Sequence, residues 1–526
     1  MLAAACSSGS STKSAADKGA SSTKTSAAVL PKGQLERTSD TIEQKTKTAM
    51  PEGTQHLNFK FGPIDVKPGQ NFIEYSGGQV PKPPVDGYIL RLAPNIERLD
   101  GSVPPVDVIH LHHGVWVNLS AKDATSALPE RFFAAGEEKT ASELPPGYGY
   151  RYKATDRWLI NYMIHNLTPA ADKIFITYQL DFLPATAPAA KDLRAARPVW
   201  MDVQNGSTYP VFDAIKGTGT DGTYTYPDQA TDPYAGKTPL NEWKVDRPSV
   251  IIGAGGHLHP GGLHDDLFVQ RPGASAAPGS PAAASVKGDT AHVFRSDAHY
   301  WEPAGAVSWD VAMTVTNPDY KVAVQPGDTL KINTTYDTKR ASWYESMGIM
   351  VLWLADGTDG ADPFATKVDG PGHLTHGHLP ENDHHGGDAA SALPDPKDRK
   401  TAPVNGPINI AKYVYAAGDL STSTPIPTVQ QGQSLSFVNQ DNSLPSSVWH
   451  SITACKAPCN KGTGIAYPLA DAAIPFDSGQ LGTSRGPPTA NRLDWQTPAD
   501  LPAGTYTYFC RIHPFMRGAF TVTAKG

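Results

Sequence analysis

The chain has 526 residues, with 48 glycines, 47 prolines, four cysteines and a formal net charge of −7. That charge leaves no electrostatic case for a nucleic-acid partner, and no apolar run reaches the ~18 residues a membrane-spanning helix needs. At ~100–200 residues per domain the length allows roughly three or four domains, and β-branched runs punctuated by Gly and Pro predict a mostly β architecture.

In chain order, the start M-L-A-A-A-C followed by a Ser/Lys-rich polar tract sets residues 1–51 apart as a tether that cannot build a core. A small-residue run ending in Cys6 resembles the lipobox of bacterial lipoproteins. That resemblance implies a lipid on Cys6 as the chain's membrane attachment, and a location outside the cytoplasm, lipid-anchored or secreted. Disorder with an idle cysteine is the plainer alternative.

Residues 52–192 form a first expected domain, without cysteine. Its run V-D-V-I-H-L-H-H-G-V-W-V-N reads as a strand whose alternation puts His110 and His112 on one face and His113 on the other. A bulge would re-aim one of them. Downstream, N-Y-M-I-H-N-L-T offers His165 near the end of another strand. Imidazoles from two strands suit copper or zinc; taken singly, each is equally a polar side chain satisfied by hydrogen bonds.

A second expected domain, residues 193–368, carries G-A-G-G-H-L-H-P-G-G-L-H. His257 and His259, two apart on a strand, point to one side and can share an ion. Met347, in W-Y-E-S-M-G-I-M, is a candidate soft third ligand; core packing is its alternative, and Met350 competes with it.

The order His-His, His, His-x-His, Met across two β domains resembles the copper type II, ascorbate-dependent monooxygenases, the family of peptidylglycine α-hydroxylating monooxygenase and dopamine β-monooxygenase. The resemblance covers residues 52–368. It implies an electron-transfer copper on His112, His113 and His165. It implies a second, oxygen-binding copper on the catalytic residues His257, His259 and Met347, with His110 and His264 orienting ligands from behind. The family's disulfides are missing. Gly255 and Gly256 stand where the peptide hydroxylase has a substrate-binding arginine, so a different small or peptidic substrate is expected.

Residues 369–404 read as a linker. Its histidines His373, His376, His378, His384 and His385 are candidates for transient copper capture or merely solvated polar groups.

In residues 405–526, the loop C-R-I-H-P-F-M places Cys510, His513 and Met516 after a strand-like stretch, with His450 as an upstream imidazole. Thiolate, two imidazoles and a weak thioether are the donor set of a blue-copper site. Cys510 as a buried thiol and Met516 as core filler is the competing reading. The loop resembles that of amicyanin among the cupredoxins. Cys455 and Cys459 read as a disulfide formed in an oxidising compartment, or as a reduced metal-capturing pair.

The expected fold is therefore all-β: two consecutive jelly-roll-like β-sandwiches followed by a Greek-key cupredoxin sandwich. The expected function is copper-dependent hydroxylation of a C–H bond with O2. It would use one type 1 blue copper and two mononuclear type 2-like coppers, with electrons from an ascorbate-like reductant or redox protein passing through a cupredoxin held on a flexible linker. Two alternatives stay open, an extracytoplasmic copper-handling or storage lipoprotein and a pure electron-transfer protein. A nitrite-reductase or multicopper-oxidase arrangement is disfavoured, because Arg511 follows Cys510 where those enzymes place a histidine.

Overall fold

The computed structural model describes residues 49–77, 80–106, 108–207, 209–301, 309–339, 341–379, 393–441, 448–455, 474–483 and 492–526. Cys6, Cys459, His384 and His385 lie outside them. Strands in several sheets dominate, and the described helical elements are short 3-10 turns, so the all-β expectation holds.

Alternation builds the first sheet. In Asp172–Pro184, the residues Ile174, Ile176, Tyr178, Leu180 and Phe182 are all fully buried and recur every second position, which puts them on one face of the strand. That strand pairs antiparallel with Gln55–Val66 on one side and Gly87–Arg98 on the other. Facing it is a four-stranded sheet in the order Asn71–Tyr75, Trp158–Asn166, Ile109–Lys122, Pro129–Gly136. Trp116, from the third of these strands, packs edge-on against Phe133 at 5.3 Å and against Tyr178 of the first sheet at 5.4 Å.

The second sheet carries the histidine run, and it carries a bulge. Against Trp158–Asn166, His110 lies opposite His165 and Leu111 opposite Ile164, but His113 already faces Met163, so the register slips by one residue at His112. An extra residue of this kind re-aims the side chains on either side of it.

In the middle of the chain, Ser249–Leu258 pairs antiparallel with Gly348–Asp356, which sets His257 beside Ile349 and Leu258 beside Gly348. Gly256 is required there: a Cβ would lie 2.6 Å from the Asp265 carboxylate and 2.7 Å from Ser296 Oγ. Gly348–Asp356 also pairs with Arg194–Asp202, and the latter runs parallel to Tyr148–Tyr152. Hydrogen-bonded pairing therefore continues from the early strands into the middle ones.

The C-terminal part is a sandwich of a five-stranded and a four-stranded sheet. Its interior is aromatic, with Tyr415, Phe437, Tyr508 and Phe520 all fully buried. Gly504–Phe509 and Arg517–Thr523 pair antiparallel from Gly504 opposite Val522 to Phe509 opposite Arg517. The segment between them, residues 510–516, is thereby fixed at the end of the sandwich.

Trp116 is a fully buried side chain shared by the two facing sheets of the first part. Trp116→Ala is expected to lower the free energy of unfolding by about 3–5 kcal/mol, read from denaturant titration.

Candidate metal centres

Three donor atoms converge at the end of the C-terminal sandwich. Cys510 Sγ lies 3.6 Å from His513 Nδ1 and 3.9 Å from His450 Nδ1, and the two nitrogens are 3.2 Å apart. The backbone N–H groups of Ser451 and His513 donate to the sulfur at 3.3 and 3.4 Å. Burial works against a thiolate, but the His450 imidazole and these N–H groups override it and hold the thiol below its ordinary value.

Each imidazole is oriented from behind. His450 Nε2 donates to Asp441 at 2.9 Å and His513 Nε2 donates to the Gly69 carbonyl at 2.9 Å. Those bonds orient both rings with Nδ1 toward the sulfur. Met516 is buried in the same loop, with its N–H on the His513 carbonyl and its carbonyl on the Cys510 N–H. Two imidazoles and a thiolate at these separations fit the trigonal copper set expected from the sequence. Cys455 is disulfide-bonded and Cys510 is a free, buried cysteine.

The structure groups the histidines of the two expected ligand sets together. His110, His112 and His165 sit within 5.0–5.9 Å of one another by ring centroid, and His112 stacks on His259 at 4.3 Å. His257 adjoins His259 at 5.3 Å. His113, just past the bulge, lies 5.9 Å from both His112 and Tyr209. His110 thus belongs to the cluster rather than behind it, while His264 lies away against Asp266 at 3.6 Å.

The same outward anchoring recurs around this cluster. His110 Nδ1 donates to the Val106 carbonyl, His165 Nε2 to the Ile512 carbonyl at 2.7 Å, His257 Nδ1 to Glu138 at 3.1 Å, and His259 Nδ1 to the Glu345 carbonyl at 2.7 Å. The opposite nitrogens, His110 Nε2, His165 Nδ1, His257 Nε2 and His259 Nε2, are buried without a partner. Burial depresses His165 to about 4, and burial with the neighbouring His257 charge depresses His113 to about 3. These two rings are neutral, the form that ligates metal. Orphaned, inward-facing lone pairs on outward-anchored rings fit a metal-binding cluster.

Met347 is buried beside Trp200, Tyr209, Val211 and Ile349. It nevertheless lines a cleft of about 140 Å³ together with His113, His257 and Arg131, and most of the remaining lining is apolar. Met350 is fully buried in the main core. A second cleft, of about 100 Å³, lies on the other side of the cluster. His112, His165, His259, Trp309, Arg511 and Ile512 are among the residues that line it. The histidine cluster therefore faces an apolar cleft through His113 and His257, and the 510–516 loop through His165.

The flexible, undocked cupredoxin expected from the linker is corrected. Besides the bonds from His513 to Gly69 and from His165 to Ile512, Arg511 Nη1 donates to the Ser342 carbonyl at 2.6 Å, and its guanidinium stacks on Trp343 at 4.7 Å. Among the linker histidines, His376 reaches the carbonyls of Gly377 and Glu138, His378 pairs with Asp310 at 2.7 Å, and His373 bonds Asn317 at 3.0 Å. Structural partners thus account for these three.

Sequence reasoning missed Glu137 and Glu138, which follow the apolar strand Pro129–Gly136 in the turn opposite His113. The signal was an acidic pair directly after R-F-F-A-A-G, paired in register with H-H-G. Burial holds the Glu137 carboxyl well above its ordinary value, with His257 opposing and Glu138 adding to the effect.

Glu345 joins the cluster to the C-terminal sandwich, since its carbonyl accepts from His259 and its carboxylate accepts from Gln480 Nε2 at 3.3 Å. Burial pushes its carboxyl up to about 7. A carboxyl with a raised folded-state value binds its proton more tightly when folded. Its contribution is therefore fully present below the unfolded value near 4.5 and is lost as pH rises through about 7. Glu345→Gln is expected to remove a fall in stability of about 3 kcal/mol between those limits, measured as the difference between the two proteins' stability-versus-pH curves.

No family model matches the chain, and no curated protein matches it. Among solved structures, a reduced mutant of amicyanin is 21% identical, covering 25% of this chain and 96% of its own, with a TM-score of 0.13. A copper-containing nitrite reductase from Thermus scotoductus is 13% identical over 52% of this chain and 55% of its own, with a TM-score of 0.16. PNGase F, a glycosylasparaginase from Flavobacterium meningosepticum, is 10% identical over 59% of this chain and 98% of its own, with a TM-score of 0.27. At such scores the likenesses carry no assignment, and the reading of this chain as a copper protein with a cupredoxin-like centre rests on its donor sets.

Proposed function

We propose that this protein is an extracytoplasmic copper oxidoreductase that hydroxylates a C–H bond of a small molecule with O2. Electrons would enter at the Cys510 centre and leave through the histidine cluster. The observation that carries the reading is the hydrogen bond from His165 Nε2 to the Ile512 carbonyl at 2.7 Å. It ties the cluster to the residue next to the ligand His513.

Bound copper would supply one-electron exchange and oxygen activation. The chain's own residues supply the rest. Cys510, His450, His513 and Met516 hold the entry site. His112 and His165 face the shared cleft and are suited to receive the electron. His257, with His259 beside it, faces the apolar cleft in which Met347 offers a soft donor. The walls of that cleft exclude water from the reacting bond. The overall change is R–H + O2 + 2 electrons + 2 protons giving R–OH + H2O, with both electrons drawn from an external ascorbate-like reductant or redox protein. The disulfide at Cys455 favours an oxidising compartment, and we place the lipid anchor on Cys6.

Met347→Ala is expected to reduce reductant-dependent product formation by about a hundredfold while the blue absorption of the Cys510 centre stays unchanged. Oxygen uptake by the parent protein no faster than that of free copper would sink the oxygenase reading and leave copper handling or electron transfer alone.

A further inference from the structure

We propose that His110, His112 and Glu137 form a metal site of their own, with two imidazoles and one carboxylate, that takes a divalent first-row transition ion. Each of the three offers a ligand atom within 4.8 Å of the other two, and all three side chains are buried. His112 Nδ1 lies 3.4 Å from Glu137 Oε2.

The partners of these atoms make the case. His110 Nε2, His112 Nδ1 and both Glu137 oxygens are buried without a hydrogen-bond partner. Buried polar atoms without a hydrogen bond leave their desolvation uncompensated, whether on a carboxyl or on an imidazole nitrogen. A single cation offset by all three donors removes those costs together, and mixed nitrogen and oxygen ligation suits divalent copper, zinc or iron. The arrangement around the site is that of an oriented ligand shell. His110 is anchored from behind on the Val106 carbonyl, Trp309 stacks against it at 4.6 Å, and His259 covers His112.

Glu137 sits where it does because of its turn. Gly136 has no Cβ, and one added there would come within 2.5 Å of the His112 carbonyl and 2.8 Å of His257 Cε1. That close approach brings the acidic pair up against the histidine strand. Adjacent in sequence, the two acids diverge in role: Glu138 orients His257, and Glu137 faces His112. The site differs from the ligand set implied by family resemblance, because it uses His110 and Glu137 in place of His113 and His165.

The test is metal affinity in the full-length protein, independent of oxygen chemistry. The apo protein is titrated with Cu(II) alone and, separately, with Zn(II) alone, and bound metal per chain is counted after dialysis. The blue absorption of the Cys510 centre serves as the measure of correct folding. Glu137→Gln and His110→Ala are each expected to weaken one bound ion by at least tenfold while the blue band persists, and Glu137→Asp is expected to recover part of that affinity. His113→Ala is expected to leave this ion in place. Unchanged metal count and affinity in Glu137→Gln would overturn the proposal, as would loss of the ion in His113→Ala but not in Glu137→Gln. If Glu137→Gln loses its blue band, the comparison of Glu137→Asp with the parent decides in the same way.

Discussion

The structure depends on one uncomfortable arrangement, a set of imidazoles packed together in the interior with their free nitrogens facing inward. Each such nitrogen forfeits its hydrogen bonds to water, at about 1–3 kcal/mol apiece. The fold sustains that cost by anchoring the opposite nitrogen of nearly every ring. The anchors are drawn from all parts of the chain: the Val106 carbonyl from the first, Glu345 from the middle and Ile512 from the end. Local preference alone would not gather them. They meet because the aromatic and aliphatic faces of the surrounding sheets force these strands into one place.

The two candidate metal regions answer to the same logic with different chemistry. At Cys510 a sulfur, two backbone N–H donors and two back-anchored imidazoles suit rapid exchange of one electron. In the histidine cluster the donors are nitrogen and carboxylate oxygen, with Met347 the nearby sulfur in the apolar cleft. The soft centre and the harder cluster share a single backbone stretch, Cys510 to His513. A change in the loop that holds the sulfur is therefore felt by His165.

Legibility in the sequence followed locality. Cys510, His513 and Met516 lie within one loop, so their spacing alone predicts their convergence, and His450 follows from the need for a fourth donor on a neighbouring strand. The all-β class was equally legible, because runs such as K-I-F-I-T-Y-Q-L-D-F alternate in the period of a strand. The histidines of the first two thirds were legible as candidates but not as groups. A register slip of one residue falls inside the histidine run, between Leu111 and His113, and slips of that kind leave no compositional trace. Glu137 was hidden for another reason: charged residues in turns are common, and only the pairing of His113 with Gly136 brings this one inside. The docking of the C-terminal sandwich was hidden most deeply, since it rests on carbonyl groups that every residue possesses.

The carbonyl of Gly69 caps the outer edge of His513, and the pocket is tight enough that a Cβ on Gly69 would strike both the His513 and Tyr413 rings. In a free-roaming blue-copper carrier an imidazole rim of this kind would be the doorway through which charge is traded with visiting proteins. Here that doorway opens inward. On the proposed function, a visiting donor would hand over its charge at some other part of the sandwich surface, and the sulfur centre would serve as wiring internal to one molecule rather than as a courier between several.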